Sequence, residues 1–386
     1  MKYGGIERVF SIIIKYLSKE KFFSFYLITT KCKQNDEYPI PKNIKRISLQ
    51  ELKINLYDAL EKEKIDILIY NYQDKEIEKL NKLKKPKVIY YSHVSFLYWI
   101  YIEHLYNFKD TVYHLYKRCK YIISIIPVEN DYLFKKWGIN SILMDNPSTF
   151  EFNSVIPSDL SKKNIIMIGR GSDPIKRYEL GILAMKEILK EIPECKMNII
   201  SNTNLKLLKL IKNLGLENKV KFTEYKNNIE IYLKNSSLHI LPSLTESYSL
   251  VLGEAKMFGI PSILCGLDYL ALAKEGTVIV YDENPLSIAN EAIKILKNEE
   301  YRKRLGKEAR ESMKNRTNEV LAKKWVKVLL TVYKGDDKLF NKLSNENKIS
   351  EEEANQILKN QLKLLQNRNS RFRRITLEKF ITYSLS

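Results

Sequence analysis

Leu238-His-Ile-Leu-Pro-Ser-Leu-Thr-Glu-Ser-Tyr-Ser-Leu-Val-Leu-Gly-Glu254 decides how this chain is read. Its first four residues form a short apolar run closed by Pro242, which has the look of a strand buried on both faces. A polar loop follows, and from Ser249 an apolar-rich stretch predicts a helix over Leu250–Phe258. A buried strand, a loop and a helix make one βα unit, and such units build parallel sheets covered by helices.

The same unit recurs on either side. Strands are predicted at Ile165–Gly169, Met197–Ile200 and Val220–Thr223 before the quoted stretch, and at Pro261–Cys265 and Thr277–Tyr281 after it. Helices are predicted at Tyr178–Glu191 and Leu205–Leu214. A separate series lies upstream, with strands at Phe22–Thr30, Ile67–Asn71, Lys87–Ser92, Tyr121–Ile126 and Ile142–Asp145, and helical patterns at Leu52–Glu63 and Trp99–Cys119. Residues 147–163, with two Pro and four Ser and no apolar period, read as a linker. The expected organisation is therefore a first α/β domain over 1–146, the linker, and a second over 164–315. A returning helix over 316–334 and a basic helical tail over 335–386 follow. Two doubly wound domains predict a cleft between them, with ligands at the carboxyl ends of the strands.

The beginning of the chain is unusual for this architecture. Gly4-Gly5 and a helical pattern over Ile6–Ser18 come at once, where a strand is expected first. A misassigned start, a fragment, or a sheet that makes do without that strand would each account for it.

Composition bounds the function. The chain has 386 residues, 44% hydrophobic and 29% charged, which is ordinary for a globular protein. Mean hydropathy is -0.32 and no apolar run approaches the ~18 residues of a membrane span. The net charge of +19 favours an anionic partner. The surplus is +8 over residues 1–150, zero over 151–300 and +11 over 301–386. Cys32, Cys119, Cys195 and Cys265 are widely spaced, and His93, His104, His114 and His239 form no metal-ligand pattern. The spacing argues against a zinc site, and widely spaced cysteines in apolar surroundings fit a reducing cytosol rather than a disulfide scaffold. No apolar leader segment opens the chain.

Three groups of residues carry chemistry. Glu246 lies in the strand-to-helix loop and Glu254 about one and a half turns inside the helix that starts near Ser249. The helix N-terminus between them, with the free amides of Ser249 and Leu250, suits a phosphate. Hydroxyl-rich ends flanking a diphosphate, as in a sugar nucleotide, match this layout. Second, Gly169-Arg170-Gly171 ends a strand, and Lys176-Arg177 stands just before the next helix. Arg170 and Lys176 are placed to neutralise a diphosphate. Third, Gly4-Gly5 is a turn where backbone can approach a ligand closely. His93 follows the strand Lys87–Ser92, and His239 reads as core. No D-x-D pattern calls for Mg²⁺ or Mn²⁺.

Gly4-Gly5-Ile-Glu-Arg8, Gly169-Arg170 with Lys176-Arg177, and Glu246-x7-Glu254 followed by Ala255, Gly259 and Pro261 together resemble the retaining, metal-independent group 1 glycosyltransferases of the GT-B fold, in particular bacterial capsular and lipopolysaccharide transferases. The resemblance covers residues 1–335. It implies that Glu246 binds the donor sugar, Glu254 the nucleotide ribose, and Arg170 and Lys176 the diphosphate. It implies that Ser249 and Leu250 add amides to that diphosphate, that Gly4 and Gly5 close on donor and acceptor, and that His93 faces the sugar or the acceptor as part of the catalytic site. It implies no cofactor, a glycan or polyprenyl-linked acceptor, and a cytoplasmic enzyme. The tail itself, Arg368-Asn-Ser-Arg-Phe-Arg-Arg374 followed by Ile375, Leu377, Phe380 and Ile381, reads either as a solvated segment or as an anchor on the inner face of an anionic membrane. A sugar-nucleotide epimerase on the same fold, a basic nucleic-acid-binding protein and a non-catalytic scaffold are the alternatives. The paired glutamates with Arg170 and Lys176 argue against the epimerase, and no nucleic-acid module is recognisable.

Overall fold

A computed structural model describes residues 4–30, 38–72, 76–95, 97, 112–224, 229–346 and 348–368. The chain divides into two compact units. Over the described residues, the first comprises the chain up to Thr149 with 316–354, and the second 150–315 with 355–368.

The first unit opens on helix α1 (Gly5–Leu17). Val9, Ile13, Tyr16 and Leu17 are its buried face, at the i, i+4, i+7, i+8 spacing of an amphipathic helix. Among the described residues no strand precedes α1. The parallel strands of this unit form two sheets, β1 (Tyr26–Thr29) with β2 (Lys45–Ser48), and β3 (Ile67–Tyr70), β4 (Lys87–Tyr91), β5 (Tyr121–Ser124) and β6 (Ile142–Leu143) in that order. Strand β2 was not legible as a strand because Lys-Arg-Ile-Ser holds a single apolar residue, Ile47. The helical pattern over Trp99–Cys119 lies partly outside the described residues, which hold helix Val112–Lys117 of it.

In the second unit six parallel strands run in the order β12-β11-β10-β7-β8-β9. They are β7 (Asn164–Ile168), β8 (Lys196–Ile200), β9 (Val220–Thr223), β10 (Leu238–Leu241), β11 (Ser262–Cys265) and β12 (Thr277–Val280). The chain starts at β7 in the middle, winds outward through β8 to β9, and returns to β10 on the other side of β7. The switch point therefore falls between β7 and β10, where loops diverge and leave a crevice. Helices α2 (Tyr178–Glu191) and α3 (Leu250–Met257) follow these two strands. Strands β7, β10 and β11 are buried almost throughout, as their mainly apolar runs predict.

Residues 150–163 are not a free linker but a strap packed on the second unit. Val155 and Leu160 are buried. The Ser158 amide donates to the Phe258 carbonyl at 2.9 Å, and Arg310 donates to the carbonyls of Phe152 and Val155 at 3.1 Å each. Leu160 is fixed by Arg302, whose fully buried guanidinium donates to the carbonyls of Leu160 (2.8 Å), Ile295 (3.1 Å) and Leu296 (2.6 Å). Pro and Ser signalled irregular backbone, but irregular backbone can still be ordered when buried cations satisfy its carbonyls.

Helices α4 (Pro285–Lys297) and α5 (Glu299–Glu311) complete the second unit. Helix α6 (Asn318–Lys334) belongs to the first: Arg316 pairs with Asp145, and Asn318 bonds both the amide and carbonyl of Ser148. Helices α7 (Asp337–Ser344) and α8 (Glu351–Arg368) follow, and α8 counts with the second unit from residue 355 on. The basic run that the sequence places at 368–374 lies outside the described residues except for Arg368, which is 15% exposed and ion-paired. Among the described residues no helix is long and apolar enough to cross a membrane, and no group of three His, Cys, Asp or Glu side chains gathers as for a metal.

Candidate functional site

The carboxyl ends of β7 and β10 bring two sequence motifs together in the second unit. After β7 the chain turns through Gly169-Arg170-Gly171 and a short 3-10 helix, Pro174–Lys176, capped by the Asp173 side chain. Gly171 is required there: a Cβ would lie 2.4 Å from the Asn202 carbonyl oxygen and 2.6 Å from Ser201 Oγ. After β10 the chain runs through Pro242–Ser249 into α3.

The two loops are stitched to each other. The Leu244 amide donates to the Ile175 carbonyl at 2.7 Å, and Arg177 Nε donates to the Pro242 carbonyl at 2.7 Å. Lys176 Nζ then meets Glu246 Oε1 at 2.6 Å, and Ser243 Oγ donates to the same carboxylate oxygen at 2.8 Å. Both partners of this ion pair are mostly buried, 17% and 12% exposed, so the attraction is less screened than at an open surface. Tyr269 anchors the loop from below. Its hydroxyl accepts from the Glu246 amide (3.0 Å), donates to the Glu246 carbonyl (2.9 Å) and lies 3.1 Å from Thr245 Oγ1. Burial pushes the Tyr269 phenol up to about 12, so it stays protonated and remains a donor.

Glu254 is buried in the second turn of α3. Ser249, in the left-handed region at φ 63, precedes Leu250, the first residue of that helix. The first amides of a helix have no partner within it, so this end offers donors and a positive dipole to an anion. Arg170 is placed differently from Lys176. Its side chain is 70% exposed and pairs with Asp173 at 3.2 Å. His239, read as core, is wholly buried in β10 with Nδ1 3.1 Å from Ser262 Oγ.

The remaining candidates lie in the first unit. Gly4 is the N-cap of α1 with extended backbone, and the Glu7 carboxylate folds back over the place a Cβ would take. Gly5 is the first residue of that helix. His93 is buried beside the Tyr91 ring, centroids 4.0 Å apart, and its Nε2 has no hydrogen-bond partner among the described residues. Burial pushes its imidazole down to about 3, so it is neutral throughout the physiological range. A neutral imidazole can still offer a hydrogen bond, so facing sugar or acceptor needs no change of charge at His93.

Sequence reasoning missed Tyr269 and the structural part of Arg177. Tyr269 stands 23 residues beyond Glu246 with no spacing rule to connect them. Arg177 was visible beside Lys176, but only the fold reveals that it holds the opposite loop.

The family model described as "Glycosyl transferases group 1" matches residues 149–312. Among curated proteins, the N-acetyl-alpha-D-glucosaminyl L-malate synthase of Bacillus anthracis is 30% identical over 144 residues, 36% of this chain and 38% of that protein. The chain spans about two fifths of the length of the curated relatives it matches. Among solved structures, the sucrose-phosphate synthase of Thermosynechococcus elongatus superposes with a TM-score of 0.70 at 15% identity, over 86% of this chain and 94% of that one. Anabaena HepE in complex with UDP and glucose superposes with a TM-score of 0.67 at 15% identity, over 86% and 97%. These likenesses establish the GT-B type of fold, two parallel α/β units in one chain.

Proposed function

Residues 149–312 belong to the group 1 glycosyltransferases, and from that premise we propose that the chain moves a hexosyl or acetamidohexosyl group from a nucleotide-diphosphate sugar to a glycan or lipid-linked acceptor, with retention at the anomeric carbon and no metal ion. The observation that carries this reading is the Lys176–Glu246 pair at 2.6 Å, set at the switch point of the sheet. The pair supports the reading because a cation suited to a diphosphate stands next to a carboxylate suited to sugar hydroxyls.

In this reading Lys176 and Arg170 bind the diphosphate, and the first amides of α3 at Ser249 and Leu250 add donors to it. Glu246 accepts from the sugar hydroxyls and Glu254 from the ribose. Retention without a covalent intermediate has the acceptor oxygen attack on the face from which the diphosphate leaves. The acceptor proton passes to the departing phosphate oxygen, while Lys176 and Arg170 stabilise the charge growing there, commonly the largest catalytic contribution. The relative's name, with its N-acetylglucosaminyl group, and the UDP and glucose bound by HepE make UDP-N-acetylglucosamine and UDP-glucose the first donors to try.

A panel of UDP-, GDP- and ADP-sugars scored by thermal shift tests the donor, because a ligand that binds the native state raises Tm by mass action. At least one should raise it in the wild type and none in Lys176→Ala. A panel that leaves the wild type unmoved would remove the reading. The acceptor surface is proposed to be an anionic membrane, supported by Arg371, Arg373, Arg374 and Lys379 among the apolar residues Ile375, Leu377, Phe380 and Ile381. Deleting 369–386 should weaken binding to phosphatidylglycerol vesicles and spare donor binding. Equal vesicle binding by both chains would reject the anchor.

A further inference from the structure

We propose that Arg368, the last residue of α8, is a positioning residue for Lys176, acting through Glu283 and Arg177 on the turn that carries it. This rests on the nucleotide-sugar reading for its purpose, and on geometry alone for its mechanics.

Glu283, just beyond β12, is the hub. Arg368 grips its carboxylate with both arms of the guanidinium, Nε to Oε2 at 2.8 Å and Nη2 to Oε1. Arg177 Nη2 reaches the same Oε1 at 2.7 Å. All three side chains are 14–15% exposed. Arg177 uses its remaining donors on the opposite loop, Nε to the Pro242 carbonyl and Nη2 to the Ser243 carbonyl at 3.2 Å. One guanidinium thus connects the residue after Lys176 with the segment that leads to Glu246.

The backbone agrees with a fixed position. Arg177 and Glu283 both lie in the left-handed region, at φ 45 and 54, which is disfavoured for residues with a Cβ. Such conformations persist where surrounding contacts over-determine them, and they gather at functional sites.

Helix α8 delivers Arg368 through a second network. Gln361 Nε2 donates to the Gly266 carbonyl (2.8 Å) and to Asp268 (2.6 Å), and Asn360 Nδ2 donates to Asp268 (2.8 Å). Leu364 packs so closely on Gly266 that a Cβ there would lie 2.4 Å from Leu364 Cδ1, at a φ of 63 that already requires glycine. These contacts fall on the segment that follows β11, and the Arg368–Glu283 contact on the one that follows β12, so the second half of α8 covers the carboxyl ends of these two strands.

Charge adds to position. Two guanidinium groups share one carboxylate, which leaves one net positive charge on the triad that holds the residue next to Lys176. In a partly buried setting that charge favours an anionic ligand more than an exposed lysine would. Removing Arg368 abolishes the surplus and frees Glu283 to pull on Arg177 alone.

Calorimetric titration of UDP and of uridine into the full chain, in wild type, Arg368→Ala, Arg368→Lys and Glu191→Ala, tests this. The last removes an exposed ion pair with Lys297 elsewhere in the same unit and should bind as wild type. Arg368→Ala should bind UDP about tenfold more weakly, within the usual range of coupling between sites, with uridine affinity little changed. Arg368→Lys should recover part of the loss. Amide exchange by mass spectrometry gives a ligand-free readout: residues 172–178 should exchange faster in Arg368→Ala and not in Glu191→Ala. Unchanged UDP binding in Arg368→Ala, or an equal loss for uridine, would overturn the role in binding. If the wild type binds no nucleoside diphosphate, the functional reading fails. The exchange of 172–178 then decides the positioning by itself, and no change there overturns it.

Discussion

Lys176 Nζ lies 2.6 Å from Glu246 Oε1 across seventy residues of sequence, with Ser243 Oγ on the same carboxylate oxygen. Each charge is the other's counter-ion. A ligand that enters must offer an anion to the lysine and hydroxyls to the carboxylate, or it leaves one of two largely buried charges unpaired.

Lys176→Ala should therefore cost about 1–3 kcal/mol of folding stability in addition to any loss of binding, because it strands a partly buried carboxylate. Lys176→Ala with Glu246→Gln should recover part of that cost. Urea unfolding of the two single variants and the double variant measures the coupling. Costs that simply add would show that the pair does not interact in solution.

Arg170→Ala separates binding from stability in the opposite way. Its ion pair with Asp173 is exposed, so unfolding should change by less than about 1 kcal/mol. Donor turnover should still fall about 10²-fold, the usual cost of removing one group that stabilises transition-state charge. Turnover within twofold of wild type would return Arg170 to the solvated surface.

Much of the second unit could be read from its sequence, and the reason is burial. Strands β7, β10 and β11 lie inside the sheet, so both faces select mainly apolar residues and leave short apolar runs that His239 alone interrupts. Strand β2 has one partner and carries Lys45 and Arg46, so no such run exists. The same contrast holds for the site. Glu246 and Glu254 share one βα unit and their spacing is a local property. Tyr269, Glu283 and Arg368 come from loops and a helix that follow other strands, and only the strand order brings them to Glu246 and Arg177. Arg368 read as the start of a basic tail, solvated or docked on a membrane, because sequence shows its cationic neighbours but not the buried carboxylate it meets.

Stability should fall with acid before the carboxylates titrate. Burial pushes the imidazoles of His93 and His239 down to about 3, for His239 with help from the Lys176 charge, against 6.5 when exposed. Their folded values are depressed, so the unfolded chain binds the extra protons. The stability they confer is whole above 6.5 and declines as pH drops from there toward 3. The expected slope is about 1.4 kcal/mol per pH unit for each imidazole. Unfolding free energies measured from pH 7 to 5 should show it, and His93→Phe with His239→Leu should flatten it. A slope unchanged in that double variant would mean that these imidazoles titrate normally in the native protein.

Cys119, Cys195 and Cys265 are buried, and burial pushes each thiol up to about 12. The thiolate is the reactive form. In a Cys32→Ser background, iodoacetamide at pH 8 should leave the native protein unlabelled and modify all three once guanidine unfolds it. Native labelling of any one would place it in a site that opens locally.

The grip of Arg302 on Leu160 sets an order of assembly. The two residues are 142 positions apart, and a ribosome releases the strap long before it releases the arginine. Through that interval Leu160, in left-handed backbone at φ 58, lacks the guanidinium that occupies its carbonyl in the finished protein. The same guanidinium closes the last carbonyls of α4, so one late side chain completes two earlier segments at once. The strand that begins at Asn164 can pair with β8 as soon as both emerge, whereas its entry segment waits for α5. For a nascent chain, residues 150–163 stay without their buried cation until α5 emerges, and over that interval they are open to a chaperone or a protease.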